Sequence, residues 1–176
     1  MINYISILVL NFFDYFYKKK ISNFLKKNKL ENIDIFFDVG GHKGESINFF
    51  LKELNIKNIY SFEASWLNFA DLKKRLPNLI KKFNETNIHI EHISLGETEK
   101  KVILKQFNES SSSTFSDINE NSSYFKKKHR YINKKKMNAF YHNIETTVIP
   151  LSKYLINRKI DNIDFLKIDT EGYELN

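Results

Sequence analysis

A chain of 176 residues that is 41% apolar, with 16 Phe and 9 Tyr, has material for one packed domain, which excludes a disordered or fibrous protein. The absence of cysteine excludes a disulfide scaffold, a thiolate metal site and a thiol nucleophile, and fits the reducing cytoplasm. A formal charge of +7 raises nucleic acid as a partner, but lysine is spread along the whole chain, so the expectation is a solvated basic surface and no nucleic acid.

Residues 2–29 carry Ile5, Leu8, Val9, Phe12, Phe13, Phe16, Ile21, Phe24 and Leu25 at about 3.6-residue recurrence, which predicts an N-terminal amphipathic helix. It is not expected to be a transmembrane segment. Asn3, Asn11 and Asp14 interrupt it, and Lys18, Lys19 and Lys20 arrive before the ~20 apolar residues a bilayer requires. A signal peptide would carry its positive charge ahead of the apolar run. The segment 1–30 is expected to pack on the domain or on a second copy of the chain rather than to lie in a membrane interface.

From residue 31 to 176 strands and helices alternate: strand 33–39, helix 44–55, strand 58–62, helix 66–76, strand 88–93. Such alternation builds an α/β fold around a parallel sheet. Trp66 is expected in the core. Val102–Phe107 reads as a further strand and Thr146–Ile149 as another, ahead of a helix starting at Pro150, a favoured first helical position. Between them the polar insert 108–143 is too long for an ordinary connection. It opens with Ser110–Thr114, read either as a linker or as a lid bearing donors to a sugar-like acceptor. Its basic run Lys126–Arg130 and Lys134–Lys136 is expected to be a solvated face. The histidines at 42, 89, 92, 129 and 142 show no metal-ligand spacing, so no metal is expected.

The chemistry concentrates at two strand ends. In Phe36–Gly44 an apolar strand ends in Asp38 and runs into a turn with Gly40, Gly41 and Gly44, where bare backbone lets the chain turn sharply and lets a ligand approach. Glu63 ends the next strand, and 63 − 44 = 19 residues after the last glycine is close to the spacing, about 20, at which an acid reaches a ribose. A dinucleotide fingerprint needs glycines at its first, third and sixth positions. Here Gly40 and Gly41 are adjacent, and Asp38 repels phosphate, which disfavours a nicotinamide-dependent oxidoreductase. The turn suits a cationic or zwitterionic ligand instead. S-adenosylmethionine fits, with its amino-acid end at the loop, its sulfonium near a negative charge and its ribose on Glu63. The second strand end, Phe165–Glu174, places Asp169 and Glu171 at or just past the carboxyl edge, where open α/β sheets bind ligands. Helix capping accounts for one of these acids, but not for Lys167, Asp169 and Glu171 together.

These blocks resemble the FkbM-type S-adenosylmethionine-dependent methyltransferases: Phe37-Asp38-Val39-Gly40 with Gly44, Phe62-Glu63, Ile93–Gly96, the serine cluster, Thr146–Val148 and Phe165–Gly172. The resemblance covers roughly residues 33–176, poorly over 116–143. It implies a Rossmann-like doubly wound methyltransferase sheet, incomplete at the C-terminus because the family continues beyond the position of Asn176. It departs from the family at Ser152 and Ala64, where an acid and a proline are usual. It further implies O-methylation of a hydroxyl on a sugar, polysaccharide or secondary metabolite. Asp38, Gly40, Gly41, Gly44 and Glu63 are the expected cofactor residues. Asp169 or Glu171 is the expected general base, with Lys167 orienting one of them or in an ion pair, and His42 and His92 as alternative bases. A truncated, non-catalytic binding or interaction fragment is the other reading.

Overall fold

The apolar run around Phe36 becomes an inner strand of a four-stranded parallel sheet. The computed structural model describes residues 2–107, 113–123, 126–127 and 141–170. In it β1 (Asn32–Val39), β2 (Asn55–Phe62), β3 (Asn87–Glu91) and β7 (Phe165–Ile168) lie in the order β3-β2-β1-β7, all parallel. The crossovers run through α2 (Glu45–Glu53) and α3 (Trp66–Lys82). These helices cover one face, where Phe36 and Ile59 meet Ile47, Phe50, Leu72 and Leu79. On the other face Phe37, Val39 and Phe62 pack on Tyr154 of α4 (Leu151–Arg158). A sheet covered on both faces explains why β1 reads as an almost continuous apolar run. Phe36, fully buried, stacks on Phe165 at 4.8 Å and meets Phe50 edge-on at 5.3 Å. Burying one such ring contributes about 1.5–3 kcal/mol.

A separate three-stranded sheet holds β4 (Ser94–Gly96), β5 (Lys100–Phe107) and β6 (Tyr141–Pro150) in the order β4-β6-β5. The predicted strand at 88–93 is β3, which ends at Glu91, and β4 just beyond it was not predicted. Pro150, expected as the first helical residue, instead caps α4 with an extended backbone. Helix α3 runs to Lys82 rather than stopping at 76, because Pro77 sits on its exposed side between the buried anchors Leu72 and Leu79. The carbonyl that Pro77 leaves without a helical partner, that of the exposed Lys73, is open to water.

The N-terminal helix α1 (Ile2–Lys27) meets the body in a way its apolar pattern does not predict. The side that rests on α2 is largely polar: Ser22 is fully buried, and Lys19 and Lys26 bind Glu53 at 2.7 and 2.9 Å. Leu25 and Tyr15 add apolar contact, Tyr15 against Phe49 at 5.7 Å. Phe12, Phe13, Phe16, Ile21 and Phe24 are exposed. Among the described residues no helix is long and apolar enough to cross a membrane.

Candidate functional site at the carboxyl edge

Strands β1 and β7 are neighbours, yet β2 and β3 lie on the far side of β1, and α2, which follows β1, covers one face of the sheet while α4, which precedes β7, covers the other. A crevice at such a switch point is where open α/β sheets bind ligands. Four strand ends are tied into one row there. Glu63 N–H donates to the Glu91 carbonyl at 3.0 Å, Gly40 and Gly41 N–H donate to the Phe62 carbonyl at 2.9 and 3.0 Å, and Asp169 N–H donates to the Val39 carbonyl at 3.0 Å.

The glycine turn is shaped by its protein neighbours. Gly40 and Gly44 have φ of +81° and +86°, a backbone that favours glycine. A Cβ on Gly40 would lie 1.9 Å from the Asp169 carbonyl oxygen, and one on Gly41 would lie 1.9 Å from Ser61 Oγ. A Cβ on Gly44 would lie 2.8 Å from Leu72 Cδ1. The bare backbone expected to admit a ligand is therefore also what lets β7, β2 and α3 close on the turn.

Asp38 departs most from its expected place. The register aligns it with Lys167 on one side and Ser61 on the other. Its side chain is 0% exposed; Lys167 Nζ donates to Oδ1 at 3.0 Å and Ser61 Oγ to Oδ2 at 3.4 Å. Burial pushes the Asp38 carboxyl up, against the pull of Lys167. For Lys167, burial opposes the charge, but Asp38 and Asp169 outweigh it and raise its pKa, so the lysine stays protonated. Asp38 therefore lies beneath the turn as a brace between strands, with its charge met inside the protein rather than turned to a sulfonium. Lys167 also reaches the Gly40 carbonyl at 3.3 Å and Asp169 Oδ2 at 3.6 Å. Asp169 is 64% exposed on its side chain, at the crevice. Glu171 lies outside the described residues.

Glu63 grips the same turn from the β2 side. His42 N–H and Ser65 N–H each donate to one of its oxygens at 2.8 Å. Burial raises its pKa, and these donors hold it back. The Asn68 side chain is a further donor to this buried carboxylate, which leaves room for about one more hydrogen bond. His42, at φ 48°, places Nδ1 at 3.2 Å from Glu45 Oε2, while its Nε2 is buried with no hydrogen-bond partner. Glu45 Oε2 also accepts from Lys43 N–H at 3.1 Å, so the start of α2 already holds an anion of its own. Trp66, expected in the core, is 52% exposed, with its ring 5.3 Å from that of His92. Phe69 stacks on His92 at 5.1 Å, and His92 Nε2 lies 3.1 Å from the Ala64 carbonyl. Ser61 and Ser65 were missed by sequence reasoning. A lone serine in an apolar strand, in register with Asp38, is the signal that finds Ser61.

Asp38, the turn, Glu63 and Asp169 thus gather at one edge, three strands wide. The family described as Methyltransferase FkbM domain matches residues 38–176. A crystal structure of methyltransferase FkbM from Methylobacillus flagellatus KT is similar at 16% identity and a TM-score of 0.48, over 82% of this chain and 28% of that one. This chain therefore spans little more than a quarter of that relative. No curated protein matches. The family match starts at Asp38 itself and takes in the turn, Glu63 and Asp169, and the chain belongs to the methyltransferase FkbM domain family.

Proposed function

We propose that this chain is an S-adenosylmethionine-dependent methyltransferase acting on a hydroxyl of a sugar, polysaccharide or secondary metabolite. Family membership supports methyl transfer in general. The observation that carries the finer reading is the convergence of Glu63 and the exposed Asp169 on the two flanks of one glycine turn at the switch point. The residues fit the cofactor: Glu63 has acceptor capacity left, and His42 Nε2 is a buried polar atom without a partner. The exposed Trp66, three residues after Glu63, offers a flat face to a purine. When bound, S-adenosylmethionine supplies an electrophilic methyl group on sulfur.

The protein's own work is positioning and proton transfer. Glu63 and the Gly40–Gly44 backbone hold the donor, with Asp38 acting on it only through the turn it braces. An acceptor hydroxyl needs a base as its oxygen becomes nucleophilic, and the Asp169 carboxylate takes that proton. Lys167 positions Asp169 from beneath. Asp169→Asn is expected to lower turnover on the order of a hundredfold with donor affinity unchanged, and Glu171→Gln run beside it assigns the base between the two acids. Glu63→Ala is expected to weaken donor binding roughly tenfold or more in titration calorimetry. Unchanged donor affinity in that variant would remove the ribose assignment. A labelled methyl donor added to a lysate containing the protein identifies the acceptor.

One observation favours the second reading, a chain that binds cofactor without turnover: among the described residues β7 pairs only with β1, and Leu166 and Ile168 on it are 40% and 47% exposed. Donor-dependent thermal stabilisation without any label transfer would select it.

A further inference from the structure

The outward face of α1 is not used by the methyltransferase reading. Ser22, Lys19 and Lys26 fix the inner side of this helix to the body. Counting from 13 at i, i+4, i+7, i+11 and i+14 gives Phe13, Tyr17, Lys20, Phe24 and Lys27, one stripe on the opposite side. Its aromatic members stand in water: Tyr17 is 65% exposed, Phe24 63% and Phe13 54%, with Phe12 and Phe16 alongside at 58% and 48%. Phe12 meets Phe13 at 6.0 Å and Phe16 at 4.6 Å, and these rings with the exposed Tyr17 and Phe24 make an apolar surface of the kind that marks an interaction site. Residues 2–29 carry six lysines, at 18, 19, 20, 26, 27 and 29, and a single acid, Asp14. Aromatic rings interleaved with lysines on one side of a long helix are the pattern of a helix lying in a lipid interface.

We propose that this face docks the protein on the surface of an anionic membrane, with Phe13, Tyr17 and Phe24 in the headgroup–acyl boundary and Lys20 and Lys27 on lipid phosphates. Charge complementarity selects this occupant over a second copy of the chain. A two-fold pairing of the face with itself would bring Lys20 and Lys27 of both copies together on chains that each carry +7. An anionic bilayer attracts the same lysines, and the attraction fades with salt. No described helix is long and apolar enough to span, so the attachment is to one leaflet.

Co-sedimentation of the whole chain with vesicles tests the proposal. Vesicles of phosphatidylcholine with about a third phosphatidylserine are expected to pellet the protein at physiological salt, while pure phosphatidylcholine vesicles, or about 1 M salt, leave it in solution. Tyr17→Ser/Phe24→Ser and Lys20→Glu/Lys27→Glu alter only exposed positions. Each pair is expected to keep the circular dichroism of the parent and to lower partitioning on the order of thirtyfold. The proposal is overturned if the parent chain stays in the supernatant with anionic vesicles, or if both double variants pellet as the parent does. It is equally overturned if light scattering finds a dimer that Tyr17→Ser/Phe24→Ser dissolves while vesicles capture nothing.

Discussion

Strand β1 carries two aspartates four residues apart, each paired with a lysine, at opposite edges of the same sheet. Asp34 and Lys57 meet at 2.7 Å with side chains 62% and 73% exposed. Asp38 and Lys167 meet at 3.0 Å with side chains 0% and 16% exposed. The longer contact is the one on which the fold depends. An exposed pair exchanges water for a partner at little net gain, whereas a buried carboxylate has no water to return to when its partner is lost. The surroundings follow the same division. The amino edge opens into a pocket of about 340 Å³ lined by Asn32, Asp34, Lys57 and Lys82, among others. The carboxyl edge is closed beneath a turn that protein atoms fill. The chemistry gathers at the carboxyl edge, which lies at the switch point.

The sharpest way to break this comparison is to remove one lysine from each pair. Lys167→Met leaves a fully buried carboxylate with Ser61 and the field of Lys18, and is expected to lower the unfolding free energy by about 3–5 kcal/mol in urea titrations. Lys57→Met is expected to change nothing measurable. Adding Asp38→Asn to Lys167→Met removes the stranded charge and is expected to restore much of the loss. Equal effects of the two lysine variants would show that burial does not rank the pairs.

The glycine turn gives the next largest effects. Gly40→Ala combines a strained φ of +81° with a Cβ 1.9 Å from the Asp169 carbonyl, a backbone atom that cannot swing aside. The expected cost is about 2–4 kcal/mol, read by the same titration. Gly41→Ala meets Ser61 Oγ at 1.9 Å with an ordinary φ, and is expected to cost about 1–3 kcal/mol. Ser61→Ala in the same chain removes that clash and leaves the Ser61 Cβ at 3.3 Å, so partial recovery is expected. No recovery would mean that the turn is constrained by something other than β2.

What sequence could read here follows the range of the interactions. Strand β1, its turn and Glu63 were legible because an apolar run, glycines and a strand-ending acid are local signals. The alternation of strand and helix placed α2, β2 and the start of α3 within three residues of their bounds, while the end of α3 lay six residues further on. The burial of Asp38 was not legible because its partner Lys167 lies 129 positions away, and no local pattern says that a charge will be buried. Strand β4 was not legible because a three-residue strand is shorter than any periodicity. For α1 the apolar recurrence was legible and the side facing the body was not, since that side is decided by Ser22, Lys19, Lys26 and the distant Glu53.

The smallest expected effect refines the comparison, because it concerns a pair that is neither buried nor fully exposed. His42 and Glu45 have side chains 33% and 48% exposed. Burial opposes both charges, but the hydrogen bond between them prevails, raising His42 and lowering Glu45 to about 2. Glu45 adds stability at pH values above its unfolded range near 4.3, and that part is lost as pH falls toward about 2. His42 adds stability fully below about 6.5, and its part is lost as pH rises through its raised value. Glu63 and Lys43 also face the ring. Asp38 and Glu63, raised by burial, act against Glu45 at acid pH, but they are common to parent and variant and cancel in a difference. His42→Asn keeps a residue that tolerates the positive φ of 48° and removes the titrating ring. The difference in unfolding free energy between parent and variant is expected to be largest near pH 5–6, under about 1 kcal/mol after solvent screening, and to shrink by pH 8. A difference that does not vary with pH would place this pair with Asp34–Lys57, as a contact that titration cannot see.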